Sequence, residues 1–383
     1  VPVRVLIVDP ANELAPLNHG LASFARTASD EISRLTMAVV HLPPPADLGS
    51  AVARLIQRVW PGPLFTISPG AAFGGVRVAG WLENTGSAED STRPESSDAG
   101  LRRSGGSYLV TGGHHGVGRI LTSHLVRTWD ARVVVLGRSA EAPELADLPA
   151  DRVRYVRGDV TSADSVRSAL ATLDAWTGRL DGIFHAAGVL RDEFASALTA
   201  ESMAAVLAPK VYGLRAIEAA VADRDLPLLV AFSSLGASVA NTGQAAYALA
   251  NGWQDALIRA RNERTGRSLS IQWPYWRDGG MVSDPASLDL LERRYGLVPL
   301  ATADGLAQLE ACLEQSSAIV AVVPRAAVPQ FLTPAGSAPG LGAVADDAGP
   351  ELYREIEPRP HLDPEGHVSS GSTGSGAGPG ALL

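Results

Sequence analysis

The sequence predicts an α/β protein whose main body is a doubly wound parallel sheet of the dinucleotide-binding (Rossmann) type. Three observations carry this expectation. From Tyr108 onward, short β-type apolar runs alternate regularly with helical stretches, the pattern of a parallel sheet covered on both faces. The first of those runs leads through a glycine-rich turn, "VTGGHHGVGR" (residues 110–119), into a helix. A polar, small-residue stretch at 83–107 separates this body from a shorter front segment. With 383 residues, 46% of them apolar and 19% charged, the chain can bury a core for two domains or one large unit.

Taken in order, residues 3–9 ("VRVLIVD") form a β-type run, 17–35 show helical apolar spacing, 36–42 ("TMAVVHL") read as a second strand and 47–59 as a second helix. In the main body the expected strands are "YLVTGG", "RVVVLG", "VRYVRGDV", "GIFHAAG", "LLVAFSS" and "SLSIQW". The helices between them start near Gly118, span 163–177 and 200–223, and include the one that carries Tyr247. From Ala335 the composition is Gly, Ser, Pro and Ala, which cannot build a core and reads as a tether. The expected units are therefore 1–100 (front unit and linker), 101–335 (main body) and 336–383 (flexible tail).

A formal net charge of −9 with no basic stripe argues against a nucleic-acid partner. One cysteine, Cys312, excludes an internal disulfide framework and a cysteine metal cluster, and no metal site is expected. No apolar run approaches the roughly 20 residues of a membrane helix. Residues 1–9 lack the layout of a signal peptide, so a soluble, cytoplasmic protein with no membrane partner is expected. The 32 basic side chains resolve into 31 arginines and one lysine, Lys210. A lone lysine in an arginine-biased chain points to a task arginine cannot do, because an ammonium is compact and its pKa shifts readily.

The glycine-rich turn supplies Gly112, Gly113, Gly116 and Gly118, with His114, His115 and Val117 between them. Glycines let the backbone turn sharply and approach a pyrophosphate, whose charge is met by the N–H groups at the helix start. The next strand ends in "LGRS". An NAD-preferring site would place an acid there; Arg138 and Ser139 suit a 2′-phosphate instead, which favours NADPH. His114 and His115 are candidates to touch phosphate, with solvated loop histidines as the alternative.

"TGGHHGVG" resembles the cofactor loop of short-chain dehydrogenase/reductases. "GDV" resembles that family's adenine contact and gives Asp159 and Val160, and "HAAG" resembles the segment beside the nicotinamide ribose and gives Ala186, Ala187 and Gly188. "FSSLGA" supplies Ser234 and "GQAAYALAN" supplies Tyr247. In an ordinary relative a lysine follows the tyrosine by four residues; here that position is Asn251, and the lysine stands 24 residues before Ser234. That exchange, with "APKVYGL" around Lys210 and "IQWPYWRDGGM" after the helix, resembles the ketoreductase domain of a modular polyketide synthase. Residues 20–43 resemble the second half of the structural subdomain that precedes such domains, so the resemblance spans roughly residues 1–330.

The resemblance implies reduction by NADPH of a β-ketoacyl chain held as a phosphopantetheine thioester on an acyl carrier protein, beside other domains of one synthase. Hydride addition leaves charge on oxygen, so a donor and aligned hydrogen bonds are required. Tyr247 is the expected donor, held well below its usual pKa of about 10 by Lys210, which also holds ribose hydroxyls. Ser234 bonds the substrate oxygen, and Asn251, one turn along the helix, orients the lysine or a relay water. Leu190, Arg191 and Asp192 stand where B-type domains carry Leu-Asp-Asp, and the central Arg resembles trans-acyltransferase synthases. Val239 is not the tryptophan of A-type domains, and Leu249 is not the proline of epimerising ones. A D-configured alcohol without epimerisation is expected, with Gln244 also on the substrate side. Trp276 and Met281 are expected near the acyl chain, the latter opening a lid at 281–297. Two other readings share the fold: a non-reducing scaffold, and a free-standing dehydrogenase acting on a small alcohol. The intact residue set argues against the first, and the Lys210/Asn251 exchange with the front subdomain argues against the second.

Overall fold

Tyr108, Leu109 and Val110 lie wholly buried in β4 (Ser107–Thr111), and their alternating side chains feed two separate core layers, one on each sheet face. The computed structural model describes residues 3–10, 15–32, 35–42, 76–81, 104–265, 268–280, 288–289, 292–293, 296–315 and 317–324. The expected helix at 47–59, the tail from Ala335, Met281 and most of the linker and of the 281–297 lid lie outside these residues.

The front of the chain gives β1 (Val3–Pro10), α1 (Ala15–Glu31), β2 (Leu35–Leu42) and β3 (Val76–Trp81). β1 and β2 form a parallel pair of their own. After β4 come α2 (Gly116–Thr128), β5 (Arg132–Gly137), β6 (Val153–Arg157), α3 (Ala163–Thr177) and β7 (Gly182–His185). Then follow α4 (Ala200–Leu207), a π turn (Ala208–Tyr212), α5 (Gly213–Ala220), β8 (Leu229–Ser234), α6 (Ala245–Thr265), β9 (Ser268–Trp273), α7 (Thr302–Leu313) and β10 (Ile319–Pro324). The large sheet has the order β3-β10-β9-β8-β7-β4-β5-β6, and every pairing is parallel. The chain leaves β6 and returns on the other side of β4 as β7, so the strand order reverses between β4 and β7. In open parallel sheets such a switch point opens the ligand crevice at the carboxyl ends of the strands.

One core layer joins Tyr108, Val110, Leu121, Leu125, Trp129, Phe184, Val230 and Val322. Trp129 meets Tyr108 edge-on at 5.5 Å between ring centroids. The opposite layer joins Leu109, Val134, Leu136, Leu170, Ile183, Leu214, Leu229 and Ile258. Six strands, β4 to β9, and the helices between them match the expected doubly wound sheet; two more extend it, β10 beside β9 and then β3, which comes from the front segment and pairs with β10. Neither β3 nor β10 stands out in the sequence, because a six-residue apolar run has no periodicity to separate it from a loop. α1 begins and ends earlier than the 17–35 spacing indicates.

The single helix expected over 200–223 is broken instead into α4, the π turn and α5. Pro209 has no N–H to donate, and the wider π turn takes the chain past it. α1 lies across α6 at two glycines. A Cβ on Gly20 would stand 2.7 Å from the Leu249 carbonyl oxygen, and one on Gly252 2.3 Å from Ser23 Oγ. Ser23 Oγ and Arg26 Nη1 both donate to the Ala237 carbonyl, each at 2.8 Å. Among the described residues no helix is long and apolar enough to cross a membrane.

Candidate active site

At the switch point the loops after β4 and β7 touch. A Cβ on Gly112, whose φ is +70°, would lie 2.8 Å from Ala187 Cα, and one on Gly118 would lie 2.3 Å from the Gly112 carbonyl oxygen. Thr122 Oγ1 ties the turn down by donating to the carbonyls of Gly113 at 2.8 Å and Gly118 at 2.9 Å. The N-cap of α2 is His115, which makes no capping bond, whereas Ser162 caps α3 and Thr199 closes a capping box on α4. A helix start left uncapped by its own chain, above a cradle that admits no Cβ, fits the pyrophosphate of a dinucleotide.

The His114 and His115 rings meet at a tilt, their centroids 4.1 Å apart, and His114 Nε2 pairs with Ser139 Oγ at 3.2 Å. Burial and the neighbouring His115 hold His114 below the usual histidine pKa. His115 Nδ1 faces Glu144 Oε1 at 3.2 Å. Arg138 is exposed at the end of β5, one residue before the Ser139 carbonyl that accepts the Tyr155 hydroxyl at 2.8 Å. Val117 packs on the core. Asp159 Oδ1 accepts from the amide and hydroxyl of Thr161 at 2.9 and 2.8 Å. Val160 is buried and packs towards Gly213, so it offers a ligand its backbone only.

The second half of the site is made of side chains. Lys210 sits in the π turn, 3% exposed; its Nζ donates to the Phe232 carbonyl at 2.7 Å and lies 5.6 Å from the centre of the Tyr247 ring. A Cβ on Gly188 would be 3.7 Å from that Nζ, so the lysine borders the segment after β7 that carries Ala186 and Ala187. Burial pulls its pKa down to about 8, opposed by the charge of Asp255. Ser234 ends β8, and its Oγ accepts from the Gly236 amide at 3.1 Å. Tyr247 and Asn251 stand one turn apart on α6, where Asn251 Nδ2 donates to the Tyr247 carbonyl at 2.8 Å. Asn251 Oδ1 is buried with no hydrogen-bond partner among the described residues.

The expected lowering of the Tyr247 pKa is not found. Burial pushes its phenol up to about 12, and the side chains of Asn251 and Ser234, not Lys210, work against that. The reason is geometric: the ammonium is turned to the Phe232 carbonyl, and a buried phenolate is poorly solvated. Such a tyrosine stays protonated across the neutral range.

Three of the residues expected on the substrate side, Leu190, Asp192 and Gln244, gather around Tyr247. Leu190 packs on the cluster of Tyr247, Leu249, Val206 and Val211. Asp192 Oδ1 accepts from Gln244 Nε2 at 3.1 Å, and its charge reaches Tyr247. Trp276 is not brought to this side. It is 4% exposed, packed edge-on to Trp273 at 5.1 Å, and a Cβ on Gly305 would come within 2.3 Å of its ring. Sequence reasoning missed Asp255, buried on α6 four residues beyond Asn251 and bonded to Ser270 Oγ at 2.6 Å and Gln272 Nε2 at 2.7 Å. Its signal was the four-residue spacing of Tyr247, Asn251 and Asp255 along one helix.

Residues 106–278 match the KR domain family. The chain is 38% identical over 355 residues to the polyketide synthase ThaG of Burkholderia thailandensis, covering 89% of this chain and 6% of that synthase. It is 30% identical to the polyketide synthase PksN of Bacillus subtilis, covering 84% of this chain and again 6% of the synthase. The chain thus spans a small fraction of the relatives it matches. The crystal structure of a ketoreductase domain from the bacillaene assembly line superposes with a TM-score of 0.71 at 27% identity, over 87% of this chain and 80% of that one. With the parallel sheet, the glycine cradle and the exchanged lysine and asparagine, these likenesses show that the chain belongs to the ketoreductase domains of polyketide synthases.

Proposed function

We propose that the chain reduces the β-keto group of a polyketide intermediate to a β-hydroxyl, using NADPH, while the intermediate is held as a phosphopantetheine thioester on an acyl carrier protein of the same synthase. The observation that carries this is the gathering of Ser234, Tyr247, Lys210 and Asn251, from three separate elements of the fold, beside Gly188 at the switch point. NADPH supplies the hydride when bound. Gly112, Gly113, Gly116 and Gly118 would admit its pyrophosphate, Arg138 and Ser139, with His114 and His115 near, would meet the 2′-phosphate, and Asp159 and Val160 would hold the adenine.

Ser234 Oγ and the Tyr247 hydroxyl bind the ketone oxygen and stabilise charge as it develops there. Tyr247, protonated because it is buried, gives its proton to that oxygen. Lys210, on the Phe232 carbonyl, would also hold a ribose hydroxyl of the bound cofactor, and the unpartnered Oδ1 of Asn251 would accept from a water that returns a solvent proton to the tyrosine. Leu190, Asp192 and Gln244 guide the acyl chain towards a D-configured alcohol, without epimerisation. The test follows NADPH oxidation with a β-ketopentanoyl N-acetylcysteamine thioester. Turnover by the parent and its collapse in Tyr247→Phe are expected; equal rates in both would overturn the assignment, and an L-alcohol on chiral analysis would overturn the stereochemical part.

A further inference from the structure

Two loops frame the substrate side of Tyr247. One follows β7 and carries Leu190, Asp192 and Ala195; the other, ending in Gly243 and Gln244, opens directly into α6. They are stitched together by the Glu193 amide donating to the Gly243 carbonyl at 2.7 Å and by Gln244 Nε2 donating to Asp192 Oδ1 at 3.1 Å. A further link between them comes from the front segment. Glu31, the last residue of α1, accepts from the Gly243 amide through Oε1 at 2.8 Å and from the Ala195 amide through Oε2 at 2.6 Å. One carboxylate from the front segment therefore bridges both loops.

The position is unfavourable by local rules, which makes the bridge informative. An acid at a helix C-terminus opposes the helix dipole, and α1 has no basic residue in its last turn. Burial and Asp30 raise the carboxyl pKa, and only the two amides lower it. Two charge-assisted bonds to backbone N–H groups offset that cost. Gly243 holds φ at +81°, a left-handed turn open to glycine, and its amide, directly before Gln244 and the start of α6, is held by the Glu31 carboxylate.

We infer that Glu31 is a positioning residue for the reduction: by clamping the Ala195 and Gly243 amides it sets the spacing of the two substrate loops, and so which face of the ketone is presented to the hydride. The inference rests on the ketoreductase reading above. Its test compares the parent, Glu31→Gln, Glu31→Ala and His19→Gln with the same thioester probe. The readouts are kcat and KM for thioester and for NADPH, the ratio of alcohol enantiomers, and Tm. His19 is the control, since it lies on the same helix and contacts Arg259 Nη1 at 3.3 Å away from both loops.

Glu31→Gln keeps one acceptor oxygen and is expected to lose about tenfold in kcat/KM for the thioester, with NADPH KM within about twofold, and to raise the minor enantiomer several-fold. Glu31→Ala goes further in the same direction. His19→Gln lowers Tm and leaves the enantiomer ratio alone. An unchanged ratio and thioester kcat/KM in folded Glu31→Gln would overturn the inference, as would the same ratio shift in His19→Gln. Glu31→Gln carries the decision if Glu31→Ala does not fold. A parent that fails to oxidise NADPH with the thioester overturns the ketoreductase reading itself, a result distinct from a silent Glu31.

Discussion

On the nucleotide side of the crevice the contacts open to a ligand are backbone: glycines that admit no Cβ, and the uncapped start of α2. On the reduction side they are side chains, most of them buried and already bonded within the protein, as Lys210 is to Phe232 and Asn251 to the Tyr247 backbone. The first wall suits a charge pattern common to many dinucleotides. The second holds buried donors and acceptors in fixed positions, the arrangement that, on the proposed reading, would gain rate. Substitutions on the two walls should therefore separate binding from chemistry.

The largest effect is expected from Tyr247→Phe, a loss of about a thousandfold in kcat with NADPH affinity unchanged, read by single-turnover kinetics and fluorescence titration. Gly112→Ala tests the other wall. Its new Cβ meets the Ala187 backbone and sits at positive φ, so NADPH affinity should fall about a hundredfold and stability by about 1–3 kcal/mol, by titration calorimetry and thermal unfolding.

Lys210→Arg keeps charge but not size, and kcat/KM should fall roughly thirtyfold. In the parent, activity that needs the ammonium should decline as pH rises through about 8. Stability follows the opposite course. The folded pKa of about 8 lies below the ordinary 10.5 of a free lysine. Between those values the unfolded chain binds more protons, so the burial penalty is full below the lower value and is relieved on approaching the higher one. A pH–rate profile beside a pH series of unfolding midpoints checks both signs.

Arg138→Gln should raise KM for NADPH about tenfold and leave KM for NADH alone, since only the former carries the phosphate the guanidinium meets. The smallest effect belongs to Ser162→Ala. It removes the cap that α3 has and α2 lacks, costing about 1 kcal/mol in denaturant unfolding without a change in turnover.

The glycine wall was legible because it needs residue types, not geometry: Gly112 and Gly118 are spelled out between an apolar run and a helix. Ser234, Tyr247 and Asn251 were legible by spacing. The placement of Lys210 was only half legible. Its rarity marked it, but the π turn that orients it comes from Pro209 inside what otherwise reads as one helix. The tyrosine pKa was misread because spacing says which groups are near, not how deeply they are buried or which carbonyl an ammonium prefers. Trp276 was misplaced for a related reason: an aromatic next to a site in sequence went to fill the space left by Gly305.

The solitary lysine also makes the protein unusually easy to watch. Because every other basic side chain is arginine, an amine-directed reagent finds one side chain and the chain's α-amino group. That side chain borders the crevice beside Gly188, and burial brings its pKa down to about 8, which raises its neutral, nucleophilic fraction under mild conditions. Reductive methylation with isotope-labelled methyl groups would give an NMR probe with one interior resonance. Its shift on adding NADPH, and its shielding from the reagent when the crevice is filled, would report occupancy without an assay of turnover.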